Sequence, residues 1–521
     1  MQLARLSQIS WPSPGTKAVT LTPPAQPPTS VSAATLQVNL SQALRVIPRP
    51  LPLDPVAPHG PIHFPGTKIV PLNRAVVTTP ATVVGKLSDV VADGRDETEI
   101  LNLAQRAGLS SDEINHLKQI LDSSPDFKDD AKMLLAALRE DDPLLAILGK
   151  GGPNADRALR TFMDLDQMRR AHPDRITPDV MNSLVTGVAH AKSVTKVDES
   201  EGVLGEDAAD RAAQALIAMP QVDYNAIHDT LQHAGGDVYS DAETERALIL
   251  KAVSARGGSY KHPTINDSIV RPETLEIETF ANRIRGMNRD DLVARTTVTA
   301  PDDTLQQRYE DSCSSTAAQI TKAEADPIYA WSLHNEDMHS HDLGGFIGRQ
   351  QAELMGQVHG MPVTDATYQQ LQQIARLGGP MGAAAKAMIN TLGSDLGEIE
   401  NNFVSSTTGR GYDSYEVGND VASRTAAADY IDKLVRQGVD VPIGVNWENR
   451  NALNPLQMKD NGESHALVIT DVRGKGDNEV FVVADPGGAT YEVSRADLIA
   501  GQNFGGSNGR LSEFLMAVIS D

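Results

Sequence analysis

The single cysteine of this 521-residue chain, Cys313, lies in a stretch that could carry a nucleophile, residues 305–320. Asp311 and Ser312 before it favour the N-cap of a helix, and the small and apolar residues after it predict a helix. Cys313 is therefore expected in the first helical turn, where unpaired backbone N–H groups and the helix dipole favour a thiolate over a thiol. Because a thiolate is a strong nucleophile, this stretch predicts nucleophilic catalysis.

Catalysis by a thiol requires a base beside the sulfur and a group that fixes the base in one tautomer. Among the thirteen histidines, His465 is the best placed, because it begins an apolar run that predicts a strand, residues 465–472. Asp485 follows a second predicted strand, residues 479–484. If the turn at residues 474–478 joins the two strands as a hairpin, His465 and Asp485 meet at the same end. The carboxylate could then accept the second ring N–H of the histidine.

Two of these assignments have alternatives. Asp471 is a second candidate for the acid, although it lies on the same predicted strand as the histidine. Gln307 lies six residues before Cys313, close enough for its side-chain amide to reach over the start of the helix as an oxyanion donor. Its neighbour Gln306 could serve instead.

A third cluster of polar residues, residues 334–342, contains histidines and carboxylates that suggest a metal site. The histidines are not spaced four residues apart, as they would be on one face of a helix, and no thiolate joins them. We interpret the cluster as a solvated polar loop. The sequence predicts no metal and no other cofactor.

Together, these residues resemble the papain-like cysteine protease superfamily. The nearest likeness is to the bacteriocin-leader-processing (double-glycine) type of peptidase, with a histidine-headed apolar strand, a turn and an apolar strand ending in Asp-Pro. The resemblance covers about residues 300–521. It implies Cys313 as nucleophile, His465 as base, Asp485 as the orienting acid, and Gln307 with the Cys313 backbone N–H as the oxyanion hole.

The sequence departs from the family's pattern in two places. Ser312 and Ser314 flank the cysteine where a glycine is usual, and a long insertion, about residues 325–440, separates the helix from the sheet. Both departures bear on the substrate class more than on the catalytic set.

Residues 1–95 differ in composition from the rest of the chain. Half of the 30 prolines lie before residue 81, in a stretch with six basic residues and a single acid, Asp54. Such a density of proline blocks helices and sheets, so the sequence predicts a disordered leader. Linkers, organellar transit peptides and the secretion signals of bacterial effectors all share this composition.

The remainder predicts an α+β protein in two domains. Residues 96–295 show helical periods with capping signals at Ser110–Glu113, Thr177–Pro178 and Ser240–Glu243, which predict a helical accessory domain. Residues 296–521 predict helices followed by an antiparallel sheet, a papain-like domain.

Charge and composition exclude several classes of protein. The net charge of −23 and the pI of about 4.9 argue against nucleic acid as a partner. No apolar run approaches the roughly 20 residues that span a bilayer, so no membrane span is predicted. One cysteine excludes an intramolecular disulfide and a thiolate metal cluster within one chain.

The sequence therefore predicts a thiol hydrolase that cleaves an amide bond in a protein substrate, most simply a cysteine protease. Two alternatives remain: a glutamine deamidase that acts on a host protein, and a catalytically inactive acidic scaffold for protein interactions. By analogy with bacterial effectors, we expect a protein secreted by a bacterium into a host cytoplasm; otherwise it is cytoplasmic.

Overall fold

A computed structural model describes residues 97–121, 143–190, 202–235, 241–260, 269–300, 303–309, 312–336, 338, 342–358, 365–392, 403–404, 411–418, 420–448, 464–501 and 508–518. All of them fall within the unit Val77–Asp521. The predicted leader, residues 1–95, lies outside the described residues.

Helices build the described part of residues 97–296. They are α1 (Glu97–Arg106), α2 (Ser111–Leu121), α3 (Pro143–Lys150), α4 (Gly152–Ala171), α5 (Pro178–Ala189), α6 (Glu206–Ala218), α7 (Gln221–Gln232), α8 (Ala242–Ala255), α9 (Gly257–Tyr260), α10 (Pro272–Ile284) and α11 (Arg289–Thr296). Their apolar faces share one hydrophobic cluster that runs from Ala104 to Leu292.

The capping signals explain where three of these helices begin. The Ser110 N–H donates to Glu113 and the Glu113 N–H donates to the Ser110 hydroxyl, which confirms the predicted capping box before α2. Thr177 caps α5 as predicted. Before α8 the prediction is wrong by one residue: Asp241 caps the helix by accepting the Thr244 N–H at 3.1 Å. A carboxylate beside the serine supplies the same acceptor oxygen.

The described chain after residue 296 mixes helices with an antiparallel sheet. Its elements are β1 (Thr299–Ala300), β2 (Asp303–Thr304), α12 (Cys313–Ala325), α13 (Pro327–Leu333), α14 (Phe346–Val358), α15 (Asp365–Leu377), α16 (Gly379–Leu392), β3 (Gly411–Glu416), α17 (Val421–Val435), β4 (Val441–Glu448), β5 (Ser464–Arg473), β6 (Val480–Asp485), β7 (Ala489–Ser494), α18 (Arg495–Ala500) and β8 (Asn508–Val518). The predicted α+β class is confirmed.

In the part of the chain that the structure describes, the main sheet has six strands in the order β3-β8-β4-β5-β6-β7, and every neighbouring pair is antiparallel. Leu467 and Ile469 of β5 share a hydrophobic cluster with α17. Ala466 and Val468 share another with α12. Successive side chains of a strand point to opposite faces, so the sheet lies between α17 on one face and α12 on the other.

Two strands of this sheet, β3 and β8, were not predicted. The apolar residues of β8 recur at helical rather than strand spacing, as Leu511, Phe514, Leu515 and Val518 show. In a regular strand Leu511 and Phe514 would face opposite sides. A register shift against Gly444 and Val445 of β4 lets both join the cluster with α17.

The predicted insertion, residues 325–440, contributes helices that pack beside the nucleophile stretch. Helices α14, α15 and α16 bury a cluster that includes Tyr368, Met355 and Ile389. Tyr309, four residues before Cys313, belongs to the same cluster, and its ring meets Tyr368 edge-on at 4.5 Å between centroids. The described part of the insertion is therefore packed core rather than a separate module.

One contact between the helical part and the sheet part is made by α13 and the residue that precedes it. Arg256, after α8, forms an ion pair with Asp326 at 2.9 Å. Trp331 of α13 meets Phe280 of α10 edge-on. Within the described residues, every helix is too short or too polar to cross a bilayer.

Candidate active site

Helix α12 begins at Cys313, as predicted, with Ser312 at the N-cap position. Within the described residues, the Ser312 hydroxyl does not bond to the helix N–H groups. It accepts the Tyr309 N–H at 3.2 Å and lies 3.0 Å from the Tyr309 carbonyl oxygen. The serine thus stabilises the turn before the helix instead of capping α12 with its side chain.

The hairpin of β5 and β6 confirms the predicted meeting of His465 and Asp485. His465 is the second residue of β5 and Asp485 is the last residue of β6, and the antiparallel register pairs Val468 with Ala484. His465 Nε2 lies 2.8 Å from Asp485 Oδ1. Since a carboxylate only accepts, Nε2 carries a proton, and Nδ1 is the ring nitrogen left for the sulfur.

The Cys313 thiol is half-buried beside the His465 imidazole. Burial acts to raise the pKa of the Cys313 thiol. The hydrogen bond and charge of His465, with the backbone N–H of Ala466, outweigh burial, so that this pKa lies below its ordinary value.

The imidazole shows the complementary shift. Burial acts to lower the pKa of His465, but hydrogen bonds to Asp485 and Cys313 and the charges of both partners raise this pKa to about 10. A lowered thiol pKa beside a raised imidazole pKa favours a thiolate–imidazolium pair over the two neutral groups.

Asp485 is held by the turn that follows it. Its Oδ1 also accepts the Gly487 N–H at 2.7 Å, and its carbonyl accepts the Gly488 N–H at 2.8 Å. Tyr491, on β7, lies near the carboxylate, where burial and the charge of Asp485 raise the pKa of the phenol. The backbone N–H of Gly487 therefore helps to hold the carboxylate in the position where it contacts the imidazole.

The segment before the nucleophile is joined to the same turn. The Gln307 N–H donates to the Pro486 carbonyl at 2.7 Å, and Gln306 forms a β-bridge with Gly487. A Cβ atom on Gly488 would lie 3.3 Å from Cγ and Cδ of Gln306. The Gln306 side chain therefore packs on Gly488 in the turn after β6. The Gln307 backbone is hydrogen-bonded to the same turn through Pro486.

The alternative acid and the polar cluster have other contacts. Asp471 accepts the Val472 N–H at 2.8 Å and Arg473 Nε at 3.1 Å, toward the far end of β5 from His465. His334 lies 2.8 Å from the Thr297 carbonyl oxygen, and Glu336 accepts backbone N–H groups at the start of α14. Within the described residues, no three His, Cys, Asp or Glu side chains are placed to hold a metal ion.

Sequence reasoning missed several residues that support the site. Gly487 could have been found, because Asp-x-Gly in a turn is a common side-chain-to-backbone motif. The N–H of Ala466 and the side chain of Tyr491 carry no local signal, since each acts on a partner that is distant in sequence.

Comparison of the chain with models of known protein families, with curated proteins and with solved structures gives no match.

Proposed function

We propose that this protein is a papain-like thiol hydrolase that cleaves amide bonds in a protein substrate, most simply a cysteine protease. The observation that carries the proposal is the position of His465. Its imidazole lies beside the Cys313 thiol, and its Nε2 lies 2.8 Å from Asp485 Oδ1, which gives the order nucleophile, base and orienting acid.

In the proposed reaction, the Cys313 thiolate attacks the carbonyl carbon of the amide. A C–S bond forms, and the π electron pair moves to the carbonyl oxygen. The His465 imidazolium gives its Nδ1 proton to the leaving nitrogen, the C–N bond breaks, and the amine departs from a thioester.

Water completes the cycle. The neutral imidazole takes one proton from a water molecule as its oxygen attacks the thioester carbon. The C–S bond then breaks, and the products are a carboxylic acid, the Cys313 thiolate and the His465 imidazolium.

The negative oxygen formed in each half of the reaction needs hydrogen-bond donors. We assign this role to the Cys313 N–H, at the positive end of α12, and to the Gln307 side chain. The packing of the Gln306 side chain on Gly488 favours Gln307 over its neighbour.

Alkylation of the single thiol tests the proposal. Iodoacetamide should label wild-type Cys313 faster at neutral pH than it labels free cysteine, and His465→Ala should slow the labelling. His233→Ala is a matched control, because the His233 side chain is 63% exposed and lies on the helical part. If wild-type Cys313 is labelled no faster than free cysteine, the proposal is wrong, and the alternative of an inactive interaction scaffold is favoured.

Mass spectrometry of a protein lysate distinguishes the two amide substrates. New peptide termini that require Cys313 would identify a protease, and Cys313→Ala is the control. A change of glutamine to glutamate without cleavage would identify a deamidase, since a side-chain carboxamide can undergo the same attack. The acid-poor N-terminal composition supports the further proposal that the enzyme is exported from a bacterium and acts inside another cell.

A further inference from the structure

We propose that Gln351 is the positioning residue of the oxyanion site: its one carboxamide fixes the backbone on both sides of Gln307 and ties it to the nucleophile helix. The inference rests on the proposed function, because it concerns how the same site stabilises the negative oxygen.

The backbone around Gln307 is held from both sides by this side chain. Gln351, on α14, is fully buried. Its Oε1 accepts the Arg308 N–H at 2.7 Å, and its Nε2 lies 3.4 Å from the Gln306 carbonyl oxygen as a donor. These two groups belong to the peptide units before and after the Gln307 Cα atom. Together with the Pro486 carbonyl, which accepts the Gln307 N–H, they set the direction of the Gln307 side chain.

The same carboxamide reaches the nucleophile helix. The Ser312 hydroxyl lies 3.1 Å from Gln351 Oε1, at the N-cap of α12. Gln351 Nε2 donates to Gln319 Oε1, within α12, at 2.9 Å. Both proposed oxyanion donors, the Gln307 side chain and the Cys313 N–H, are therefore positioned relative to one side chain.

The orientation of the amide follows from its partners. A backbone N–H can only donate, so the Gln351 atom that faces Arg308 is the oxygen; a carbonyl can only accept, so the atom that faces Gln306 is the nitrogen. The contacts use both donor protons of the carboxamide and its oxygen as acceptor of the Arg308 N–H; the single Ser312 proton is shared between this oxygen and the Tyr309 carbonyl oxygen. A carboxylate lacks the donors, and a thioether or a hydrocarbon of the same size lacks both kinds of group.

A buried polar group with all its hydrogen bonds made has one low-energy arrangement, because an alternative would leave buried donors or acceptors without partners. Oxyanion stabilisation depends on donors held about 2.7–3.1 Å from the developing charge, so a small displacement of Gln307 weakens it. The base and the acid do not share this dependence, since His465 and Asp485 are placed by β5 and β6.

Two reactions of Cys313 distinguish an effect on the oxyanion site from an effect on the thiolate and His465. Alkylation by iodoacetamide displaces iodide from carbon and forms no oxyanion, so its rate reports the thiolate and His465. Acylation by p-nitrophenyl acetate passes through a tetrahedral oxyanion and releases p-nitrophenolate, so its rate reports the oxyanion site as well.

We expect Gln351→Met to slow acylation by about 10-fold or more while alkylation stays within about twofold of wild type. The matched control is Gln350→Met, because Gln350 bonds to Gln319 at 2.9 Å and to Tyr329 in the same network. That variant should leave both rates within about twofold of wild type. Should Gln351→Met fail to fold, Gln351→Glu provides the same comparison with nearly unchanged volume.

An equal loss of both rates in the folded Gln351 variant, no loss of acylation, or the same selective loss in Gln350→Met would each overturn the inference. Failure of the proposed function is a separate result: wild type itself would then show neither rapid alkylation nor acylation.

Discussion

His465 Nε2 lies 2.8 Å from Asp485 Oδ1, and this contact determines which ring nitrogen faces the thiol. The carboxylate accepts the Nε2 proton, so the neutral ring presents the Nδ1 lone pair to Cys313 and the charged ring presents a proton. Asp485 is itself fixed by the Gly487 N–H at 2.7 Å. The geometry leads to predictions for pH dependence, for the acid and for the turn that holds it.

The first prediction concerns pH. The lowered pKa of Cys313 keeps the thiolate at pH values below the ordinary thiol pKa of about 8.5, and the raised pKa of His465 keeps the imidazolium up to about pH 10. Hydrolysis, which needs the imidazolium proton, should therefore fall as pH rises through about 10. Iodoacetamide labelling, followed by intact mass, should remain rapid below pH 8.5 in wild type and decline there in His465→Ala. A wild-type labelling profile like that of free cysteine would contradict the prediction.

The second prediction concerns Asp485→Asn. Loss of the negative charge beside His465 removes a cause of its raised pKa, so the high-pH limb of hydrolysis should move below pH 10. We expect hydrolysis at neutral pH to fall by about 100-fold, because the base loses the partner that stabilises its charged form. Asp471→Asn is the control, since that carboxylate bonds to Val472 and Arg473 instead. Equal effects of the two variants would refute the assignment of the acid.

The third prediction concerns Gly488→Ala. Gly488 has φ 92°, and an added Cβ would lie 3.3 Å from the Gln306 side chain. Gly476 has φ 61° with none of the described residues within 4 Å of its Cβ position, so Gly476→Ala measures the backbone cost alone, about 1 kcal/mol. Urea unfolding should show a larger loss for Gly488→Ala, and acylation should slow in that variant only. Equal losses of stability would show that the packing on Gln306 contributes nothing.

The fourth prediction concerns the contact between the two parts of the chain. The Arg256 and Asp326 side chains are 12% and 6% exposed and lie 2.9 Å apart, so Arg256→Met removes the cation that contacts a buried carboxylate. We expect a loss on the order of 3 kcal/mol in the free energy of unfolding. Glu276→Gln is the matched control, because this partner of the same arginine is 61% exposed, and its pair should contribute less than about 1 kcal/mol. A loss of similar size in both variants would contradict the assignment of Asp326 as the principal partner.

Local signals predicted much of the fold. Capping residues and apolar periods placed the starts of α2, α5 and α12 and the strands β5 and β6, because a cap and its helix, or a turn and its hairpin, are neighbours in sequence. Strand β8 was missed, since its helical spacing is overridden by pairing with β3 and β4 and by the register shift near Gly444. A strand in the middle of a sheet can be set by its neighbours against its own pattern.

The sequence by itself determined the candidate chemistry: one cysteine at a helix start, a histidine heading one strand and an acid ending the next. Each of these is a local pattern, and one hairpin turn suffices to bring His465 to Asp485. Only the tertiary structure decided which groups lie around the start of α12 and which of them hold Gln307 in place. Those contacts join α14, the turn after β6 and the segment before α12, which lie between about 40 and 180 residues apart in the chain. The physical reason is that a buried hydrogen bond forms between the groups that packing brings together. Packing depends on residues far apart in the chain, so no local pattern predicts these partners.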